Sequence, residues 1–289
     1  MNFESLKIFC TVAEEQSITH AATRLDRAPS NVTTRIQQLE ADIGVELFLR
    51  TGKRMCLSTS GKYLLGYAQR LLALAEEARH VVTEGRYGGS LRIGGMESTV
   101  ASRLPLLLGK YHARHPVTRL ELCTGTSGQL LDQMRTGALD CAFLTLPLSI
   151  QGTAALKKIG LTAKTVWREE LLLLLPESES AVRRAPDVQT RRLAAFAPGC
   201  AYRALAEEWL GITASTDWKV DEMGTYSPMV ACVAAGACVA VLPQSVLDVL
   251  GAPPELKTVR IGRANTCLLW RQGYDVPAFR NLLQLLKEV

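Results

Sequence analysis

The sequence predicts an α/β protein in three parts: a small helical head ending in a basic hairpin, one long helix, and a body of two α/β lobes. Three observations predict it. Residues 17 to 58 hold two short amphipathic segments around a tight turn, followed by a basic turn between short apolar runs. Residues 60 to 85 carry one uninterrupted helical pattern. Beyond residue 90, short apolar runs alternate with helical patterns, as in repeated β-α-β units.

The head begins with an amphipathic helix whose apolar residues are Phe3, Leu6, Phe9, Val12 and Ala13. Ser17 can cap the next helix, its hydroxyl accepting from a free first-turn amide. That helix places Ile18, Ala21, Ala22 and Leu25 on one face, and the small Ala21 and Ala22 let a neighbour approach closely. Asp26, Arg27, Ala28 and Pro29 break it, because proline disfavours α geometry in the residue before it. Ser30 can cap a third helix with Val32, Ile36 and Leu39 as its apolar stripe, ended by Gly44. Its other face shows Asn31, Thr33, Thr34, Arg35 and Gln37, short donors and acceptors suited to base edges and phosphates in a major groove. Leu47 and Phe48 then lead into Arg50, Thr51, Gly52, Lys53 and Arg54, a turn between short strands with Arg50, Lys53 and Arg54 facing phosphates. The pattern is a winged helix-turn-helix, with Ser17, Thr19, Ser30, Asn31, Thr33, Thr34, Arg35, Gln37, Arg50, Lys53 and Arg54 as the candidate DNA-facing residues.

Charge agrees in its distribution more than in its sum. The 289 residues carry a formal charge of +5, with 47% hydrophobic and 21% charged residues, as in an ordinary globular protein. Residues 47 to 75 hold Arg50, Lys53, Arg54, Lys62 and Arg70 and no acid, a local strip able to neutralise phosphates. Alone, such a strip reads as a solvated basic face. Glu4 and the polar run at 14 to 17 interrupt any signal-peptide core, and the five leucines at 171 to 175 are too short to span a membrane. A cytoplasmic protein is expected, without membrane contact.

In the long helix, Leu64, Ala68, Leu71, Ala75, Ala78 and Val82 recur at steps of four and three, an a/d seam by which two copies can pair. At 1.5 Å per residue it spans about 40 Å. Residues 84 to 89 read as a hinge. In the body, strands are expected at 91–95, 119–123 and 139–144, with helices over about 99–113 and 127–136. A second set has strands at 171–175, 193–197, 218–221 and 239–242 and helices near 201–210 and 226–235. A strand at 267–270 and a helix at 277–288 return to the first lobe. The expected divisions are a head over 1–59, a linker helix and hinge over 60–89, and a body over 90–289. Lobe I then takes about 90–163 and 266–289, and lobe II about 164–265.

Ligands of open α/β sheets bind beyond the carboxyl ends of strands, where helix N-termini offer free amides. Residues there are Glu97, Ser98 and Thr99; Thr124, Gly125 and Thr126; Cys200, Ala201 and Tyr202; and Thr225 and Tyr226. Singly, each Ser or Thr reads as an ordinary helix cap; together they suit a small organic anion. Glu97 is unexpected in an anion site, and either pairs with an amino or amide group of the ligand or faces solvent.

Eight cysteines show neither CxxC nor metal-ligand spacing. Cys123, Cys141, Cys232, Cys238 and Cys267 lie in apolar runs and read as core residues. Cys200 opens a helix, where a thiolate would be stabilised. No P-loop, G-x-G-x-x-G or G-x-S-x-G motif is present, and His20, His80, His112 and His115 do not cluster with acids. No catalytic residue, metal or cofactor is expected. A free-standing solute-binding protein fits the lobes but leaves the first 60 residues unexplained.

The chain resembles the LysR-type transcriptional regulators from end to end. The matching head residues are Leu6, Phe9, Val12, Ala13, Ser17, Ala21, Ala22, Leu25, Val32, Ile36, Leu39, Glu40, Leu47, Phe48, Arg50, Leu57, Thr59 and Gly61. The tract from Val230 to Pro243 matches a stretch typical of the second lobe. The resemblance implies a two-lobed, periplasmic-binding-protein-like effector domain, promoter DNA and RNA polymerase as partners, and homodimers that pair into homotetramers. One departure concerns the glutamine that precedes proline before the recognition helix in the family. Here the sequence is Pro29-Ser30, so Ser30 and Asn31 are the candidates for that task. A peroxide-sensing branch places its reactive cysteine near Cys200, but its resolving cysteine has no counterpart in residues 201 to 211.

Overall fold

A computed structural model describes residues 1–51, 54–83, 89–147, 150, 152–179, 182–212, 217–251 and 256–288. The chain divides into two compact units, Met1–Glu84 with Thr136–Ala138, and Gly85–Arg135 with Leu139–Val289.

The head packs α1 (Phe3–Glu15), α2 (Ile18–Arg24) and α3 (Pro29–Ile43) around one core, with a hairpin of β1 (Phe48–Thr51) and β2 (Arg54–Leu57). Phe9, Val12, Ala21, Val32 and Leu39 are all but fully buried, and the Phe9 and Phe48 rings meet at 5.3 Å. Ser17 caps α2 as expected, its Oγ accepting the His20 amide at 3.3 Å. Asp26 turns the chain in the left-handed region (φ 52°), which a short polar side chain tolerates. The start of α3 differs from expectation. Its N-cap is Ala28, not Ser30, and Pro29 takes the first helical position, where its fixed φ suits a helix and its missing N–H costs nothing. Ser30 is therefore free to point outward.

The long helix α4 (Thr59–Val82) is capped by Ser58, whose Oγ accepts the Gly61 amide at 2.9 Å. Ala68 is fully buried in the head's own core, with Leu64 and Leu72 packed at its edge. Of the other expected seam residues, Ala75 is half-buried and Leu71, Ala78 and Val82 are exposed. The large apolar residues α4 leaves exposed are Tyr63, Tyr67, Leu71, Leu74, Val81 and Val82.

The second unit holds one sheet of eight strands in the order β4-β3-β5-β10-β6-β9-β7-β8. Two parallel trios flank a central antiparallel pair. The first trio is β3 (Ser90–Gly95), β4 (Arg119–Thr124) and β5 (Cys141–Thr145); the second is β7 (Arg192–Ala195), β8 (Lys219–Glu222) and β9 (Val239–Pro243). Between them run β6 (Leu161–Leu175) and β10 (Lys257–Arg271), 15 residues each. The expectation of short strands at 171–175 and 267–270 was too narrow: both strands pass through the two lobes and join them. The register shifts twice, with Ile261 the extra residue on β10 and Val166 the extra residue on β6, which breaks the regular alternation a sequence would show.

Helices cover both faces: α5 (Glu97–Ser102), α6 (Leu104–Arg114), α7 (Ser127–Thr136), α8 (Gly152–Lys158), α9 (Ala201–Leu210), α10 (Tyr226–Ala234), α11 (Gln244–Leu250) and α12 (Pro277–Leu285). The single helix expected over 99–113 is two helices meeting at Arg103. Pro105 has no N–H to continue the ladder of α5, and the break directs the Arg103 guanidinium to the buried Glu169 carboxylate, Nε to Oε1 2.9 Å.

Candidate DNA-binding surface and effector cleft

The apolar stripe of α3 packs inward, Val32 at 0%, Ile36 at 3% and Leu39 at 1% exposure, which fixes the rotation of the helix. Ser30, Asn31, Thr34 and Gln37 are consequently exposed, while Thr33 and Arg35 are half-buried. Thr33 and Thr34 donate their hydroxyls back to the Pro29 and Ser30 carbonyls, both at 3.0 Å. Asn31 and Gln37 are the exposed amide side chains of this face, the type that pairs with adenine edges. On the preceding helix Thr19 is exposed and Ser17 half-buried at the cap. Glu40 ties α3 to the hairpin: its Oε1 accepts the amides of Leu47 at 2.7 Å and Phe48 at 3.2 Å. The hairpin pairs Arg50 with Met55 and Thr51 with Arg54. Lys53 lies outside the described residues, as do 84–88 of the expected hinge.

In the second unit, α5, α7, α9 and α10 start just beyond the carboxyl ends of β3, β4, β7 and β8. Their first turns enclose a cavity of about 360 Å³, the size of a small metabolite site. Glu97, Ser98, Thr124, Gly125, Thr126, Cys200, Tyr202 and Tyr226 line it. Thr99 and Ala201 are buried beside it, and Thr225 is exposed; none of these three lines the cavity. Gln129, Phe196, Ala197 and Glu222 line it as well and were not expected from the sequence. Phe196 and Glu222 sit where β7 and β8 end, the same signal that pointed to the neighbouring loops.

Among the described residues the lining contains two carboxylates, Glu97 and Glu222, and no Lys, Arg or His. Glu222 is neutralised by Arg203, Nη1 to Oε1 2.9 Å, which also pairs with Glu207. Burial pushes the Glu97 carboxyl above the usual range. Phe196 and Tyr226 meet edge to face at 4.9 Å. Thr126 and Gln129 cap α7 reciprocally, the Thr126 amide donating to Gln129 Oε1 at 2.9 Å and the Gln129 amide to Thr126 Oγ1 at 3.4 Å.

Cys200 departs from expectation. Burial pushes its thiol up, and the amides of Arg203 and Tyr202 only partly oppose that. Its place at a helix start does not make it a stabilised thiolate. Among the described residues no group of three or more His, Cys, Asp and Glu could hold a metal ion, and no helix is long and apolar enough to cross a membrane.

A helix-turn-helix head with a polar recognition face, followed by a two-lobed domain with a cleft at its helix N-termini, defines a ligand-responsive DNA-binding protein. Residues 3–62 match the family described as bacterial regulatory helix-turn-helix protein, lysR family, and residues 84–289 match the LysR substrate binding domain. The chain belongs to the LysR family of transcriptional regulators, with a DNA-binding domain and an effector-binding domain. Similar proteins include the transcriptional regulator GltR of Bacillus subtilis, 35% identical over 86% of this chain and 81% of that protein. Another is the regulator SoxR of Arthrobacter sp., 33% identical over 93% of each. Among solved structures, CbnR, a LysR family transcriptional regulator, aligns at TM-score 0.67 with 23% identity, covering 100% of this chain and 99% of that one. A full-length OxyR variant from Pseudomonas aeruginosa aligns at 0.71 with 22% identity, over 99% and 94%. The family consists of transcriptional regulators, not enzymes.

Proposed function

We propose that this regulator reads promoter DNA through Ser30, Asn31, Thr34 and Gln37 of α3, and that a small organic effector bound between the two lobes governs its output. Ser17, Thr19, Thr33, Arg35, Arg50, Lys53 and Arg54 serve the phosphates around that contact. The observation that carries the reading is the rotation of α3: its apolar stripe is buried in the head and its amide-bearing face is exposed. The working form is a homodimer paired along α4, and two dimers form a tetramer on DNA, in the cytoplasm where the chromosome lies. The exposed Tyr63, Tyr67, Leu71, Leu74, Val81 and Val82 supply the pairing face. Leu71, Ala78 and Val82 remain from the a/d seam, and Ala68 belongs to the head. RNA polymerase is the further partner of such a complex.

An effector that binds one lobe arrangement better than another shifts the population toward it, and the change reaches DNA through the dimer contacts. The cavity supports the effector site, with hydroxyls, amides and aromatic faces from helix starts of both lobes. Its hydroxyls and helix termini suit an oxygen-rich ligand; its two carboxylates speak against a purely anionic one. Nuclease footprinting on the chain's own upstream DNA tests the proposal: saturating effector should change the length or the hypersensitive positions of the footprint. An identical footprint with and without an effector known to occupy the cleft would refute the coupling.

A further inference from the structure

In the cavity wall Ser98 and Tyr202 are 3% and 2% exposed, and neither hydroxyl makes a hydrogen bond of good geometry. Burial raises the Tyr202 pKa, and the adjoining hydroxyls of Thr145, Thr266 and Ser98 act to lower it, though none of the four makes a hydrogen bond of good geometry. Buried polar groups are hydrogen-bonded in more than about nine cases of ten, and an oxygen atom set against Ser98 and Tyr202 would complete this cluster. Glu97, next to Ser98 in the first turn of α5, also lines the cavity and makes no hydrogen bond or ion pair among the described residues. The second lining carboxylate, Glu222, is already held by Arg203. Among the described residues no cationic side chain lines the cavity, and the rings of Phe196, Tyr202 and Tyr226 form part of its wall. A half-buried carboxylate without a partner is unfavourable, and aromatic faces attract cations.

We propose that the effector is a small oxygen-bearing primary or secondary ammonium compound, its ammonium paired with Glu97 and its oxygen accepting from Ser98 and Tyr202. This rests on the reading of the cleft as the effector site and specifies its ligand class. The ammonium supplies the counter-charge that the protein leaves out. The oxygen completes the hydroxyl cluster.

The test is calorimetric titration of the full chain with matched pairs. Proteinogenic amino acids, amino alcohols and diamines are each set beside the des-amino or N-acetyl counterpart. The tightest ligand should carry an ammonium group and an oxygen acceptor, and removing its charge should weaken binding at least about tenfold, as loss of a charge-assisted hydrogen bond does. Glu97→Gln, checked for folding by its melting curve, should shrink that difference between the paired compounds. A des-amino or neutral compound binding best, weakened by Ser98→Ala or Tyr202→Phe, would keep the cleft reading and overturn the ammonium assignment. Binding indifferent to Glu97, Ser98 and Tyr202 together would place the ligand elsewhere and overturn both. A panel with no ligand of either class would also overturn both.

Discussion

The backbone amide of Gly128 donates to the carbonyl of Gly199 at 3.1 Å, joining the first turn of α7 in lobe I to the loop before α9 in lobe II. Both glycines permit this approach, for different reasons. Gly199 sits at φ 94°, outside the range L residues adopt readily, and a Cβ there would come within 3.2 Å of Thr126 Oγ1. A Cβ on Gly128 would meet Gly199 Cα at 3.7 Å, an ordinary contact.

The two alanine variants should therefore differ. Gly199→Ala is expected to destabilise the effector domain by about 1–2 kcal/mol through left-handed backbone strain. Gly128→Ala, inside the first turn of a helix, should be neutral or stabilising by less than about 1 kcal/mol. Urea unfolding of the pair against wild type reads both. Equal losses would mean that the close approach, not the backbone conformation, sets the requirement.

Glu97 gives a pH dependence of defined sign. Burial raises its pKa in the folded chain, and neighbouring Tyr226 offers no counter-charge. A group raised on folding contributes stability below its unfolded pKa and loses it as pH rises through the folded value. Glu97→Gln should then melt higher than wild type at pH 8 and level with it at pH 4. A variant melting below wild type at pH 8 would show that ionised Glu97 is compensated.

Glu40 is the link between recognition helix and hairpin. Glu40→Ala leaves the amides of Leu47 and Phe48 without their acceptor, at a cost on the order of 2 kcal/mol to the head. Thermal melting should register the loss, with Glu40→Gln intermediate because its amide oxygen still accepts. A head as stable with alanine as with glutamate would remove Glu40 from this role.

On the exposed face of α3, Asn31→Ala and Gln37→Ala should each cost about 1–3 kcal/mol of binding at the native site and relax preference at one base position. Competition with single-substituted operators measures it. Uniform weakening across all operators would assign these amides to phosphates.

The head was legible because its signals are local. Ser17, Asp26, Pro29 and Gly44 punctuate helices whose apolar spacing is intact, and only the cap of α3 moved, from Ser30 to Ala28. The cleft loops were legible from strand ends followed by small polar residues. The long strands were not, because Arg168, Glu169 and Glu170 interrupt the apolar signal of β6. Glu169 is nonetheless 4% exposed, made tolerable by Arg103 from the break between two helices, 66 positions away in sequence. Such a pairing leaves no periodic trace. The seam expected on α4 differs at Ala68 for a related reason: the head's own core takes that residue, and an apolar stripe does not say which neighbour buries it.

The most direct test of the central claim is fluorescence anisotropy of the full chain on its own upstream intergenic DNA, against scrambled DNA, over a salt series. Tight binding that resists the scrambled competitor and weakens linearly in the logarithm of salt concentration is expected. No binding at low salt, or equal affinity for both DNAs across the series with and without effector, would contradict it.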